Sequence, residues 1–385
     1  MSSTRTDAEG KPQLAARRSR EWLVNLGVSV AAIAIFLAFC ELVVFRFVWL
    51  ASDVPSHDFK NGLVRYAPNQ RGVWRVRDEI AAPYRINAQG WNSGLGDYRI
   101  ERRPGIARIA LVGDSYVEAL QVPFNHSAGE DLAALLGTDA HPVEVYRFAI
   151  SGAPMSQYLA MVEREVVAYK PDWIIVQIVD NDFDESFNFV PGTYTSSFLK
   201  LRVVDGRVVG EIPPKAWTAT YLDWLRQSAI TRFFFYRWQI RPQFLLRELL
   251  PQAKAASLYD RYANTGEIER ALADPAGDAA VTNYTFGRLD DVARAAGARL
   301  LLAMDGDRAA LYDQYDSPAK PLHELVARAA GARGIPLVDL DPVFAADWQA
   351  HHRRFNPHSD GHWNEYGHEV VAQALAAGLR GAGWR

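Results

Sequence analysis

The sequence predicts an α/β fold, a parallel sheet covered by helices on both faces, preceded by one N-terminal transmembrane helix. Three observations carry this. Short apolar runs of strand length alternate with helix-length amphipathic segments between 108 and 179, and again between 287 and 381; such alternation implies crossover units and a sheet buried on both sides. Residues 22–40, WLVNLGVSVAAIAIFLAFC, carry no formal charge, and about 20 apolar residues span a bilayer core of ~30 Å as a helix. The whole chain of 385 residues is 49% hydrophobic with a formal net charge of -3, a globular balance with no basic excess for nucleic acid.

In order along the chain, residues 1–20 form a polar tail ending in Arg17, Arg18 and Arg20, followed by an anchor over 21–50. The arginines predict a cytoplasmic N-terminus, and Trp22 and Trp49 suit the two interfaces. A cleaved signal peptide would have a shorter apolar region and a small-residue cleavage site, which Leu50-Ala51-Ser52 does not supply. The single cysteine, Cys40, excludes an intramolecular disulfide, and Phe39 before it argues against lipidation. Everything after residue 50 then lies outside an inner membrane.

Residues 51–104 form a lead-in of short strands and turns, read from alternation and Gly/Asn punctuation. The remaining domain, 105–385, predicts strands over 108–114, 143–150, 172–179, 299–306 and 335–341. Helices are expected over 128–137, 156–169, 287–298, 321–331 and 365–381. The pattern is interrupted by an insertion over 196–284. Within it, Asp205-Gly206 between two Val-rich runs signals a hairpin, and 219–250 is helical and aromatic, with FFFYRW at 233–238. Core packing is the plainer reading of that aromatic run; a lid or a membrane-surface contact is the alternative.

Ligands of open parallel sheets bind beyond the carboxyl ends of the strands, so those ends are where chemistry is sought. Three successive strands end in GDSY, SGAP and DNDFDE, and the last loop reads NPHSDGHWNEYGH. A serine hydroxyl such as Ser115 is a poor nucleophile until a base takes its proton. His362 is the candidate base and Asp360 the candidate acid that orients it. An oxyanion needs fixed donors, and the Ser115 and Gly152 backbone N–H groups with the Asn181 amide occupy three neighbouring strand ends. Glycine at 152 permits close backbone approach. Asp114 and Asp182 read as turn-stabilising residues. A competing cluster, His351, His352, His358, Asp360, His362 and His368, offers zinc-type ligands, but Arg353 and Arg354 disfavour a cation there; no metal or other cofactor is expected.

The four blocks, ALVGDSY with Ser115, AISGAP with Gly152, VDND with Asn181 and DGHWN with His362, resemble those of SGNH/GDSL hydrolases. The anchor and the INAQGW segment are similar to membrane-anchored bacterial members. The resemblance implies a three-layer, flavodoxin-like α/β domain that hydrolyses or transfers acyl esters, with nucleophile Ser115, oxyanion donors Gly152 and Asn181, and base His362. An α/β-hydrolase elbow would require Gly-x-Ser-x-Gly, and Val117 stands in the last position. Two positions depart from the family pattern. Val179 replaces a glycine two residues before Asn181, and Asp360 lies two rather than three residues before His362. The Asp-x-His-Trp spacing instead resembles SGNH-like proteins acting on exopolysaccharide acetylation.

The function expected is a periplasm-facing, membrane-anchored ester hydrolase acting on an acylated carbohydrate, an envelope polymer or a small ester, with Trp363 stacking on a sugar or packing internally. Two other readings stay open: an O-acyltransferase using the same residues, and an inactive polysaccharide-binding module.

Overall fold

A computed structural model describes residues 10–190, 195–240 and 265–384. The first nine residues of the expected tail, and 241–264 of the expected insertion, lie outside the described residues.

A helix runs from Gly10 to Phe39 and continues as a wide-turned helix over Cys40–Val48. Its stretch Arg20–Val48 is long and apolar enough to cross a membrane. The lead-in forms two antiparallel hairpins, β1 (His57–Lys60) with β2 (Leu63–Tyr66), and β3 (Arg71–Val76) with β4 (Ile80–Arg85).

The core sheet contains β5 (Ala107–Gly113), β6 (Val143–Ala149) and β7 (Trp173–Ile178). The hairpin β8 (Lys200–Val204) and β9 (Arg207–Ile212) stands outside it, and β10 (Arg299–Met304) and β11 (Leu337–Asp339) complete it. The spatial order is β11-β10-β7-β5-β6, all parallel. This is the flavodoxin-like order, and its switch point lies between β5 and β7, where the connections diverge and leave a crevice at the carboxyl ends.

The period of two along each strand divides the apolar residues between two faces. Ala110, Val112, Ile174, Val176, Leu300 and Leu302 face one layer; Ile109, Leu111, Ile175, Leu301 and Ala303 face the other. Helices Met155–Arg164, Pro275–Ala295 and Lys320–Gly331 bury their stripes on the first face through residues such as Leu159, Phe286 and Val326. Ala128–Leu136, Leu340–His351 and Glu365–Gly381 cover the second through Leu132, Phe344 and Leu375. The fold is therefore the three-layer α/β domain the alternation predicts.

The differences have local causes. The strand expected over 335–341 is only three residues long, because the Asp339 side chain caps a new helix by accepting from the Asp341 N–H. The helix expected over 156–169 stops at Arg164 and restarts as a short tight turn, Val166–Tyr169. At that break the buried Glu165 carboxylate ion-pairs with Arg65 and accepts from the Trp91 indole. The Asp205-Gly206 hairpin forms as expected, both residues having positive φ, as a two-residue turn of this type requires.

The aromatic run at 233–238 does not pack in the sheet core. It follows short helices Tyr221–Arg226 and Ala229–Thr231 as a wide-turned segment, Arg232–Arg237, and packs on the carboxyl-terminal end of the apolar helix. Phe233 lies 4.4 Å from Phe45 between ring centroids and stacks on Trp49. Glu41, a rare charge in the apolar helix, accepts from the Ala229 and Ile230 N–H groups and the Ser228 hydroxyl at 2.8–3.0 Å. Residues 241–250 of the expected helical stretch are among those outside the description.

Candidate active site

Each predicted residue follows from how its strand ends. β5 stops at Gly113, where an added Cβ would sit 2.5 Å from Val117 Cγ2, so only glycine lets the next turn fold back this tightly. The Asp114 carboxylate then accepts from the Tyr116 N–H at 3.0 Å, capping the one-turn helix Ser115–Glu118. This places Ser115, nearly buried, at the carboxyl edge of β5 beside the switch point.

The second half comes from the loop between Leu340–His351 and Glu365–Gly381. His362 Nε2 lies 2.8 Å from Ser115 Oγ, and His362 Nδ1 lies 2.5 Å from Asp360 Oδ1. The same Asp360 oxygen accepts the His362 backbone N–H at 2.9 Å, so the two-residue spacing works through a tight turn that brings carboxylate and ring together. Ser115, His362 and Asp360, separated by up to 247 positions, thus form one hydrogen-bonded chain.

Gly152 follows β6 with φ +72, and a Cβ there would meet nothing within 4 Å. The left-handed backbone by itself favours glycine at this position. Asn181 sits at the carboxyl end of β7, half-buried, immediately before the turn Asp182–Glu185. Asp182 is a turn residue as expected, accepting from the Val179 N–H at 2.9 Å and the Tyr158 hydroxyl at 2.8 Å. Val179, at the position where a glycine is usual, is buried in the same apolar cluster as Tyr116 and Trp363.

Trp363 requires a correction. It is 1% exposed, its indole N–H donates to Asp305 at 3.1 Å, and its ring meets Tyr116 edge-on. It packs beneath the His362 loop and cannot stack on a sugar.

Three residues that escaped sequence reasoning support the chain of Ser115, His362 and Asp360. Buried Arg308 pairs with Asp305 and donates to both the Tyr116 hydroxyl (2.9 Å) and the Gly361 carbonyl (3.0 Å), joining the Ser115 turn to the His362 loop. Glu79, in the β3–β4 turn, accepts the His358 and Ser359 N–H groups, each at 2.7 Å. Glu118 accepts from the Tyr66 hydroxyl at 2.5 Å and the Ser151 N–H at 3.1 Å, tying the lead-in to the turn that carries Gly152. Such bonds to backbone groups impose no spacing or periodicity that a sequence displays.

The electrostatics are those of a buried acid cluster. Burial pushes Asp114 up to about 6 and Glu118 up to about 7. For His362, burial opposes the charged ring, but the Asp360 carboxylate, with Asp114 and Glu118 behind it, prevails and holds the imidazole above its ordinary value.

The histidine-rich tail does not gather into one site among the described residues. His351 faces Asp347, His358 faces Glu79, and buried His368 accepts from the Ala128 N–H. A group close enough to share an ion is instead His323, Asp339 and Asp341. There His323 bonds Asp339 at 3.0 Å and, against the effect of burial, is raised to about 9 by its two carboxylates, which describes an imidazolium in an ion pair.

A family profile described as GDSL-like Lipase/Acylhydrolase matches residues 109–203, and one described as SGNH hydrolase-like domain, acetyltransferase AlgX, matches residues 265–384. The first segment contains Ser115, Gly152 and Asn181; the second contains Asp360 and His362. No curated protein sequence matches the chain. Similar solved structures include LAE5, an alpha/beta hydrolase enzyme from the metagenome of Lake Arreo, Spain, at 15% identity and TM-score 0.39, covering 71% of this chain and 95% of that one. Another is a catalytic mutant of Axe2, an acetylxylan esterase from Geobacillus stearothermophilus, at 14% identity and TM-score 0.36, covering 72% and 95%. At these TM-scores the likeness adds nothing to what the two profiles carry. The strand-end blocks, the fold and the two profiles converge on one conclusion: the chain belongs to the SGNH/GDSL hydrolase family.

Proposed function

We propose that this protein is a membrane-anchored serine ester hydrolase. The observation that carries the reading is the continuous chain Ser115 Oγ–His362 Nε2 (2.8 Å) and His362 Nδ1–Asp360 Oδ1 (2.5 Å). Neutral His362 takes the Ser115 proton as the oxygen attacks an acyl carbonyl, while Asp360 fixes the tautomer and stabilises the imidazolium. The tetrahedral oxyanion is met by the Ser115 and Gly152 N–H groups and the Asn181 amide. His362 returns the proton to the leaving alkoxide, which leaves an ester on Ser115; water, activated by the same histidine, releases the acid. No step calls on a metal or cofactor.

The proposed substrate is an O-acetylated carbohydrate or envelope polymer. That reading draws on the anchor helix and on the AlgX-type profile over the His362 segment; Trp363 lends it nothing. The Arg17, Arg18 and Arg20 cluster orients the N-terminus toward the cytoplasm, which sets the hydrolase domain in the periplasm of a bacterial cell. The same profile, described for an acetyltransferase, favours a second reading in which a sugar hydroxyl replaces water as acceptor.

Turnover of p-nitrophenyl acetate by the detergent-solubilised chain tests the proposal. Wild type is expected to turn over with or without chelator, and Ser115→Ala to lose at least ~10³-fold of the rate. Equal rates in the two proteins would overturn the assignment. Adding an acceptor oligosaccharide divides the readings: a transferase yields acetylated oligosaccharide at the expense of free acetate, a hydrolase yields acetate alone.

A further inference from the structure

The segment Tyr221–Ile240 has no part in the proposed chemistry, yet it carries a dense group of outward-facing aromatic residues. Tyr221 and Trp224 are about three-quarters exposed (75% and 76%), and Phe234, Phe235 and Ile240 are also exposed. Through Phe233 and Phe234, which pack on Phe45, the segment adjoins the anchor helix where Phe47, Val48 and Trp49 are exposed.

Length places this group relative to a bilayer. The apolar stretch Arg20–Val48 has 29 residues, about 40 Å of helix at ~1.5 Å per residue, against a hydrocarbon core of ~30 Å. The surplus falls on one end, because Cys40–Val48 is the part that protein covers. Phe45 packs on Phe233 and Phe234 there, and Glu41 is satisfied by Ser228, Ala229 and Ile230. A carboxylate and its three donors are tolerated in the headgroup region but not at the bilayer centre.

The segment is also fastened to the lead-in. Arg237 pairs with Asp78 and donates to the Arg77 carbonyl, and Arg232 pairs with Asp53. Asp78 belongs to the same β3–β4 turn as Glu79, which holds the His362 loop.

We propose that Tyr221–Ile240 is an interfacial collar, inserted among the lipid headgroups around the exit of the anchor helix, that holds the hydrolase domain flush on the membrane surface. Its ligand is the phospholipid bilayer itself. Large amphipathic rings with one apolar and one polar end favour that layer, and an element lying in the interface binds through its buried apolar area. The inference rests on the membrane-anchor reading given under the proposed function.

Site-directed spin labelling of the full chain in phosphatidylcholine–phosphatidylglycerol liposomes tests it. In a Cys40→Ser background, Trp224→Cys and Phe235→Cys are labelled in the collar, Ile35→Cys in the anchor, and Val209→Cys on the exposed β9 strand. The collar labels are expected to show oxygen accessibility above, and nickel-chelate accessibility below, those of the Val209→Cys label, at a depth shallower than the Ile35→Cys label. If Ile35→Cys reads as lipid-embedded while both collar labels match Val209→Cys, the collar is overturned and the anchor stands. If the collar labels are shielded from both reagents alike, protein covers the patch and the collar is again overturned. If Ile35→Cys itself reads as aqueous, the anchor reading fails, and the collar with it.

Discussion

Arg308 donates to Asp305, to the Tyr116 hydroxyl and to the Gly361 carbonyl from a buried position, so its removal reaches both halves of the site at once. Arg308→Met leaves Asp305 as an uncompensated buried charge, a change that costs about 3–5 kcal/mol; urea unfolding should show it as a lower midpoint, and an unchanged midpoint would contradict the role. The pH profile is argued from His362. Because Asp360 and the acids behind it hold the imidazole above its ordinary value, and because only the neutral ring accepts a proton, activity should fall as pH drops through that raised pKa. The acid limb of kcat/KM is therefore expected above about 6.5, the unperturbed imidazole value; a limb below it would contradict the buried acid cluster as the dominant field. At this scale the meeting of Ser115, Asp360 and His362 was legible, because the three sit in compact strings at chain positions the fold must bring to one edge. Arg308, Glu79 and Glu118 were not, because they act on backbone groups and on residues distant in sequence.

Among elements, the β3–β4 hairpin has the clearest link to function. Its Glu79 accepts two N–H groups of the His362 loop, and bonds to a charged acceptor are worth roughly 1.5–3 kcal/mol each. Glu79→Ala should let the loop sample positions in which His362 does not meet Ser115. The expected result is a fall of about 10-fold or more in kcat with KM little changed, since the hairpin does not touch the proposed oxyanion donors; a change confined to KM would contradict the positioning role. The five sheet strands were legible because alternate residues feed two apolar layers, and the Asp205-Gly206 hairpin because its turn needs positive φ twice. The helix Leu340–His351 was not among the expected helices: its first two residues fall in the run read as strand, since its cap, Asp339, closes the strand it follows. The aromatic run at 233–238 looks like core in one dimension, and only its docking on Phe45 and Trp49 shows that it packs against the carboxyl-terminal end of the apolar helix instead.

At the scale of the whole molecule, one continuous series of contacts leads from the apolar helix through Ser228–Arg237 to the β3–β4 hairpin, and from there to the His362 loop. On the anchored reading, the full chain should partition with the membrane fraction and resist alkaline carbonate extraction, whereas release by carbonate would count against a spanning helix. An apolar N-terminal helix ahead of an α/β sheet domain was legible from apolar length and from the strand–helix rhythm. What the lead-in does was not, because its Tyr66 and Glu79 reach the site through hydrogen bonds to residues far away in sequence. The central claim, that His362 activates Ser115 for acyl transfer, is tested most directly by mass spectrometry after treatment with a fluorophosphonate. The account predicts one adduct, mapped to the Ser115 peptide in wild type and slowed by several orders of magnitude in folded His362→Ala. A folded wild-type protein that takes up no label, or takes it up at the same rate without His362, would contradict it.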